Sequence, residues 1–156
     1  MKIIPYIAVI TLGLSSLSGT LAAGPGSDHG HEHTKKHAGP NGGRLITGVS
    51  PHAEFFVDAE RFAQITFVNA ESEVTAPTGQ VVSLTGGDRS NPIKLSFTSV
   101  DGVLRSTEAL PEQPNMPIIL SIKPTTDTKA VREKFYLNQS MCGSCDYQEY
   151  ACICGH

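Results

Sequence analysis

Cys142, Cys145, Cys152, Cys154 and His156 fall within the last fifteen positions of a 156-residue chain, and these are its only cysteines. Cys142 and Cys145 form a C-x-x-C pair, Cys152 and Cys154 a C-x-C pair, and His156 follows two positions on. Thiolate and imidazole are the donors that hold thiophilic ions, and a tetrahedral site needs four of them, at about 2.3 Å for Zn–S. The first pair supplies two donors from one tight turn, where Gly143 relieves backbone strain. Cys152, Cys154 and His156 alternate, so extended backbone aims all three to one side. The six residues from Asp146 to Ala151 give a loop that brings the halves together. Zn(II) and Cu(I) are the natural occupants, because thiolate is soft. Five donors exceed four by one, so either His156 or one cysteine is spare.

The same cysteines also suit a disulfide staple, since thiols pair in an oxidising compartment. Pairings that cross the tail, one cysteine from each half, would make a compact clamp. The local pairings 142–145 and 152–154 would close very small rings. The extra histidine and the C-x-C spacing favour metal over disulfides. Cys142-Gly-Ser-Cys145 also has the spacing of thiol–disulfide oxidoreductases, but those place the first thiol at a helix N-terminus beside a strand. No βαβ pattern surrounds it here.

His29, His31, His33 and His37 form a second donor group. The first three alternate, His37 can fold back, and Asp28 and Glu32 add carboxylates. Imidazole suits Zn, Cu(II) and Ni, so the segment reads as a low-affinity metal-capturing arm, a polar spacer being the plainer alternative. Residues 24–43 hold almost nothing apolar to bury and are expected to be a disordered linker, with Gly39-Pro40-Asn41-Gly42-Gly43 as dense turn punctuation that marks the entry to the folded domain.

Ahead of that arm, Lys2 and the apolar stretch Ile3 to Leu14 precede small residues, with cleavage expected after Ala22 or Ala23. This is the pattern of an export signal over residues 1–23, and it implies a secreted or periplasmic protein. Removing 23 of the 156 residues leaves 133 and takes the net charge from −3 to −4, since only Lys2 is lost. That suffices for one domain. A mildly acidic chain without a basic stripe is no nucleic-acid binder. No second apolar span or cationic amphipathic helix points to a membrane after cleavage. Metal ions are the one partner the residues indicate.

The elements that must position these donors have a period of two. Ile93, Leu95 and Phe97, then Met116, Ile118, Leu120 and Ile122, then Val131, Phe135 and Leu137, alternate with more polar residues. Ala53, Phe55 and Val57, and Ala63, Ile65 and Phe67, add two more strands, with weaker ones at Val82–Leu84 and Val103–Thr107. Turn residues fall between them: Asp58-Ala59-Glu60, Pro77-Thr78-Gly79, Gly86-Gly87-Asp88 and Asp101-Gly102, the last a hairpin signal. Only Asp127 to Lys134 could make a helical turn. About seven strands over residues 44–138 predict an all-β, antiparallel, immunoglobulin-like β-sandwich with a Cys-rich tail over 139–156.

No catalytic constellation stands out. Gly42-Gly43 and Gly86-Gly87 fit no phosphate-binding pattern and read as turns. His52 reads as a surface or rim histidine, and the pairs Asp58 with Glu60 and Glu71 with Glu73 as solvated charge. Gly39-Pro40-Asn41-Gly42-Gly43-Arg44-Leu45, after the histidine arm and before His52-Ala53-Glu54-Phe55, resembles the leading segment of periplasmic adaptor proteins of heavy-metal efflux systems. That resemblance covers under a fifth of the chain and stops where an adaptor's helical hairpin would begin. It implies a metal-related, exported setting. With its Tyr150-Ala151-Cys152-x-Cys154-x-His156 ending, the whole chain also resembles small uncharacterised secreted bacterial proteins, a likeness that implies no activity. The expected function is an exported protein that sequesters or passes on Zn or Cu, with a disulfide-stapled interaction module as the rival reading.

Overall fold

The structure, a computed structural model, describes residues 37–154. Nine antiparallel strands follow in chain order: β1 (Arg44–Ile46), β2 (His52–Val57), β3 (Ala63–Val68), β4 (Val74–Thr75), β5 (Val81–Asp88), β6 (Asn91–Val100), β7 (Val103–Ser106), β8 (Met116–Lys123) and β9 (Val131–Leu137). A single 3-10 turn, Glu149–Ala151, closes the described chain. The alternating segments of the sequence are all strands, so the all-β expectation holds. The signal-peptide assignment, His29, His31, His33 and His156 lie outside the described residues.

Neighbouring strands run β1-β2-β3-β7-β6-β5-β8-β9, with β4 on the free end of β3. Strand β6 belongs to both layers. Asn91 to Ser96 pair with β5, whereas Phe97 to Val100 pair with β7. One layer is therefore β2-β3-β7-β6 and the other β5-β8-β9, which is the A-B-E-D and C-F-G order of an immunoglobulin-like sandwich. Here the strand between C and E is one continuous ribbon that spans the gap, leaving the sandwich nearly closed. Arg44 of β1 helps close the opposite side: its guanidinium lies 5.0 Å from the centre of the Phe135 ring on β9.

The core follows the pleat. Met116, Ile118, Leu120 and Ile122 all point inward from β8 and are buried, facing Phe55, Ile65 and Phe67 of the other layer and Val82 and Leu84 of their own. Each large apolar side chain taken from water adds about 1.5–3 kcal/mol, which lets short strands cohere. At the β6–β7 hairpin Val100 pairs with Val103 across Asp101 and Gly102, whose φ values are 48° and 85°. Positive φ at both central residues is the type I′ geometry expected from Asp-Gly.

Several expectations need correcting. Gly86-Gly87-Asp88 do not close β5 as a turn; they are its last three residues, and Arg89-Ser90 make the turn to Asn91. Glycine at 86 gives room to β8, since a Cβ there would sit 2.9 Å from Ile118 Cδ1 and 3.2 Å from Pro117 O. The possible helical turn from Asp127 to Lys134 is a bend that runs into β9. Asp58 is not freely solvated: Arg105 Nη2 bonds its Oδ2 at 2.9 Å, and reaches Glu60 Oε2 at 2.7 Å although Glu60 is exposed, as expected. Burial would raise the Asp58 carboxyl, but the Phe62 N–H, Arg105 and Gln64 outweigh it and hold it below its ordinary range.

Residues 38–43, assigned by composition to the linker, form a tied turn. The Gly39 N–H donates to Gly43 O and the Gly42 N–H to Gly39 O, each at 3.0 Å. The turn covers the outer face of β2, where Glu54 is fully buried. The turn punctuation of Gly39 to Gly43 is therefore a real turn at the entry to the domain; what composition missed is that one buried carboxylate, Glu54, ties it down.

Candidate metal centre

Beyond β9 the chain makes a closed excursion and returns to the sandwich. The Tyr150 N–H donates to Asn138 O at 3.0 Å and the Glu149 N–H to Ser140 O at 2.9 Å, while Met141 and Gln148 form an antiparallel bridge. Inside that loop the Cys142 N–H donates to Tyr147 O at 2.9 Å. The return is anchored by Tyr150, whose ring is buried edge-on to Phe55 at 5.8 Å and whose hydroxyl accepts the Val57 N–H at 3.3 Å. Arg44 Nη1 donates to Tyr150 O at 3.4 Å. Ala151 is also buried, so the tail expected as an appendage completes the core.

This excursion brings the two cysteine pairs together. Cys142 Sγ lies 3.4 Å from Cys152 Sγ, Cys145 Sγ lies 3.8 Å from Cys152 Sγ, and all four sulfurs are within 4.8 Å of one another. Four thiolates bound to one tetrahedral ion at about 2.3 Å stand about 3.8 Å apart along each edge. Bonded disulfide sulfurs stand about 2.05 Å apart. The spacing therefore fits an ion between the sulfurs, and the four cysteines can bind a metal. Cys142 is buried, whereas the other three are partly open.

Backbone amides are aimed at the sulfurs. The Tyr147 N–H is the largest cause holding the Cys145 thiol down to about 7, with burial opposing it and the Cys154 thiol and Ile153 N–H assisting. The Cys154 N–H donates to Cys152 Sγ at 3.3 Å. Cys154 is pushed up to about 12, first by its hydrogen bond to Cys145 and then by burial. Burial, followed by contact with Cys142, raises Cys152. The cluster thus favours a thiolate at Cys145 and resists one at Cys152 and Cys154, because negative sulfurs this close repel. A bound cation inverts that logic and deprotonates its thiols.

Among the described histidines none joins the cluster. His37 is exposed and outside it. His52 is a rim residue, as expected, with Nδ1 3.0 Å from Val49 O. Neither cysteine of the C-x-x-C pair opens a helix, unlike the oxidoreductase arrangement.

Tyr147 was not singled out from sequence, and Tyr150 only as part of the chain's ending, yet both fix the loop. Tyr147 packs beside Gly42, where a Cβ would lie 3.6 Å from its ring. Two tyrosines in an otherwise polar six-residue loop were the available sign. No family model matches the chain, and neither does any curated protein or solved structure. The site's own chemistry therefore carries the functional reading.

Proposed function

We propose that this chain is an exported metal-binding protein that holds one thiophilic ion, Zn(II) or Cu(I), at Cys142, Cys145, Cys152 and Cys154, and sequesters or passes it on. The observation that carries the reading is the convergence of all four sulfurs within 4.8 Å, at edges of 3.4 and 3.8 Å where measured pairs meet. Soft thiolate donors in a tetrahedral set select Zn among divalent ions and also suit Cu(I). Export rests on the pattern of residues 1–23. The histidines at 29, 31, 33 and 37 would take ions more weakly, since imidazole is a harder donor than thiolate for Zn(II) or Cu(I).

Reduced protein titrated anaerobically with Zn(II) or Cu(I) tests this. One ion per chain that resists dialysis and shields four thiols from alkylation is the expected result. Thiols that stay freely alkylatable in the presence of either ion would overturn it, and would favour the stapled-module reading.

A further inference from the structure

The four sulfurs are also placed to become two particular disulfides. Cys142 Sγ and Cys152 Sγ stand 3.4 Å apart, and choosing them leaves Cys145 with Cys154, which are already hydrogen-bonded to each other. The other crossed choice starts from the longer 3.8 Å separation of Cys145 and Cys152. The local choice would force Cys152 and Cys154, one residue apart, into a strained ring. Neither favoured bond requires the chain to move far, because the backbone on both sides is stitched by the Cys142–Tyr147 and Tyr150–Asn138 hydrogen bonds. The sulfurs need only close to about 2.05 Å.

We propose that the centre is a redox-controlled release device: a small-molecule disulfide converts the four metal-bound thiolates into the Cys142–Cys152 and Cys145–Cys154 disulfides and expels the ion, with the sandwich intact. This rests on the metal reading above. A partly exposed thiolate, Cys152, attacks one sulfur of the oxidant and expels the other half as a thiolate, leaving a mixed disulfide. Buried Cys142 then attacks Cys152 Sγ, and the second half of the oxidant departs. Cys145 and Cys154 repeat the sequence with a second oxidant molecule. Four protein thiolates lose four electrons, two small disulfides become four thiolates, and the metal leaves with its charge unchanged. Burial of Cys142 suits it to the resolving role, since a bulky oxidant reaches it poorly while Cys152 is adjacent.

The test begins with the Zn(II)-loaded full chain treated with oxidised glutathione, following zinc by a chromogenic chelator and the bonds by peptide mass mapping. One ion released per two disulfides formed, mapped as 142–152 and 145–154 with an unchanged far-ultraviolet spectrum, is expected. Retention of zinc and of four thiols overturns the switch while leaving the metal reading standing. Failure to load zinc in the first step counts against the metal reading instead, and the disulfide map of the apo chain then judges the pairing separately. A map of 142–145 with 152–154 overturns the proposal. The Cys145→Ser chain should form only 142–152 and keep one alkylatable thiol at Cys154; any other bond counts against the pairing.

Discussion

Gly43 and Glu54 are locked to each other across the outer face of β2. The Gly43 N–H donates to Glu54 Oε1 at 2.7 Å, and that same oxygen accepts the Asn41 N–H at 2.8 Å. Glu54 Oε2 takes the Asn41 side-chain amide at 2.8 Å, and the amide also reaches Thr66 Oγ1 on β3 at 3.2 Å. A Cβ at position 43 would fall 2.3 Å from Phe55 O, so only glycine lets the turn lie this close. Gly43→Ala should therefore lower stability by about 1–3 kcal/mol, as overpacking does. Glu54→Ala should cost about 1–3 kcal/mol, because it removes the acceptor of the buried Gly43 N–H along with both contacts from Asn41. Thermal unfolding followed by circular dichroism checks both, and unchanged midpoints would show that the turn is not part of the cooperative fold.

Tyr150 joins the cysteine loop to the core, and its two ends do separable work. Tyr150→Phe removes only the acceptor for the Val57 N–H and should cost about 1 kcal/mol, with metal affinity kept. Tyr150→Ala removes the ring beside Phe55 and should cost about 3–5 kcal/mol. It should also weaken metal binding, because the turn that carries Cys152 loses its anchor. Zinc titrations of the two variants, run beside denaturant melts, separate the effects.

The strands were legible in the sequence wherever one face is buried and the other wet, as in Met116-x-Ile118-x-Leu120-x-Ile122, because a period of two is the pleat itself. The Asp101-Gly102 hairpin was legible for a local reason as well, since both positions need positive φ. Gly86-Gly87 was misread because glycine serves two ends, a turn or a close approach, and the close partner Ile118 lies 32 positions away. Glu54 was invisible for a similar reason: nothing in His52-Ala53-Glu54-Phe55 says that residues 39–43 fold back over the carboxylate. The cysteine cluster was legible from spacing, but its convergence depends on Tyr147 and Tyr150, whose packing against Gly42 and Phe55 is set by the whole sandwich.

The Asp58 carboxyl is held below its ordinary range, so its contribution to stability has a defined direction with pH. A depressed carboxylate stabilises the fold above its unfolded value, about 3.8, and that contribution disappears as pH falls through the lower folded value. Asp58→Asn should lower the melting point at neutral pH yet approach the parent protein in acid, once pH lies below the depressed folded value. Parallel melting curves from neutral pH into acid check this, and an offset that persists undiminished in acid would count against the Arg105 pairing as its source.

Metal binding should release protons, since every ligand must be a thiolate. Cys145, held to about 7, is largely ionised at pH 8, whereas Cys152 and Cys154 are raised and still carry their protons. At least two protons should therefore appear per ion bound at pH 8. Affinity should fall as pH drops below about 7, where Cys145 too must be deprotonated by the metal. Calorimetry in buffers of different ionisation enthalpy counts the protons, and a proton-neutral titration would mean that the cysteines are not the ligands.

Ion binding should stabilise the sandwich itself and not merely the tail. Tyr150 and Ala151 are buried in the same core as Phe55, and the Tyr150 N–H is bonded to Asn138 O at the end of β9. Unfolding the body therefore carries the loop away and disperses the four sulfurs, so an ion held only by the folded arrangement opposes global unfolding. At free metal 100-fold above the dissociation constant that opposition is about 2.7 kcal/mol. For a domain of this size it corresponds to a rise of several degrees in melting temperature. A chelator should reverse the rise, and Cys142→Ser should abolish most of it, because removing one of four thiolates opens the site. The contrast is sharp in calorimetry: a tail that folded independently would leave the main transition where it was and add a small separate one, whereas a tail built into the core shifts the single transition as a unit.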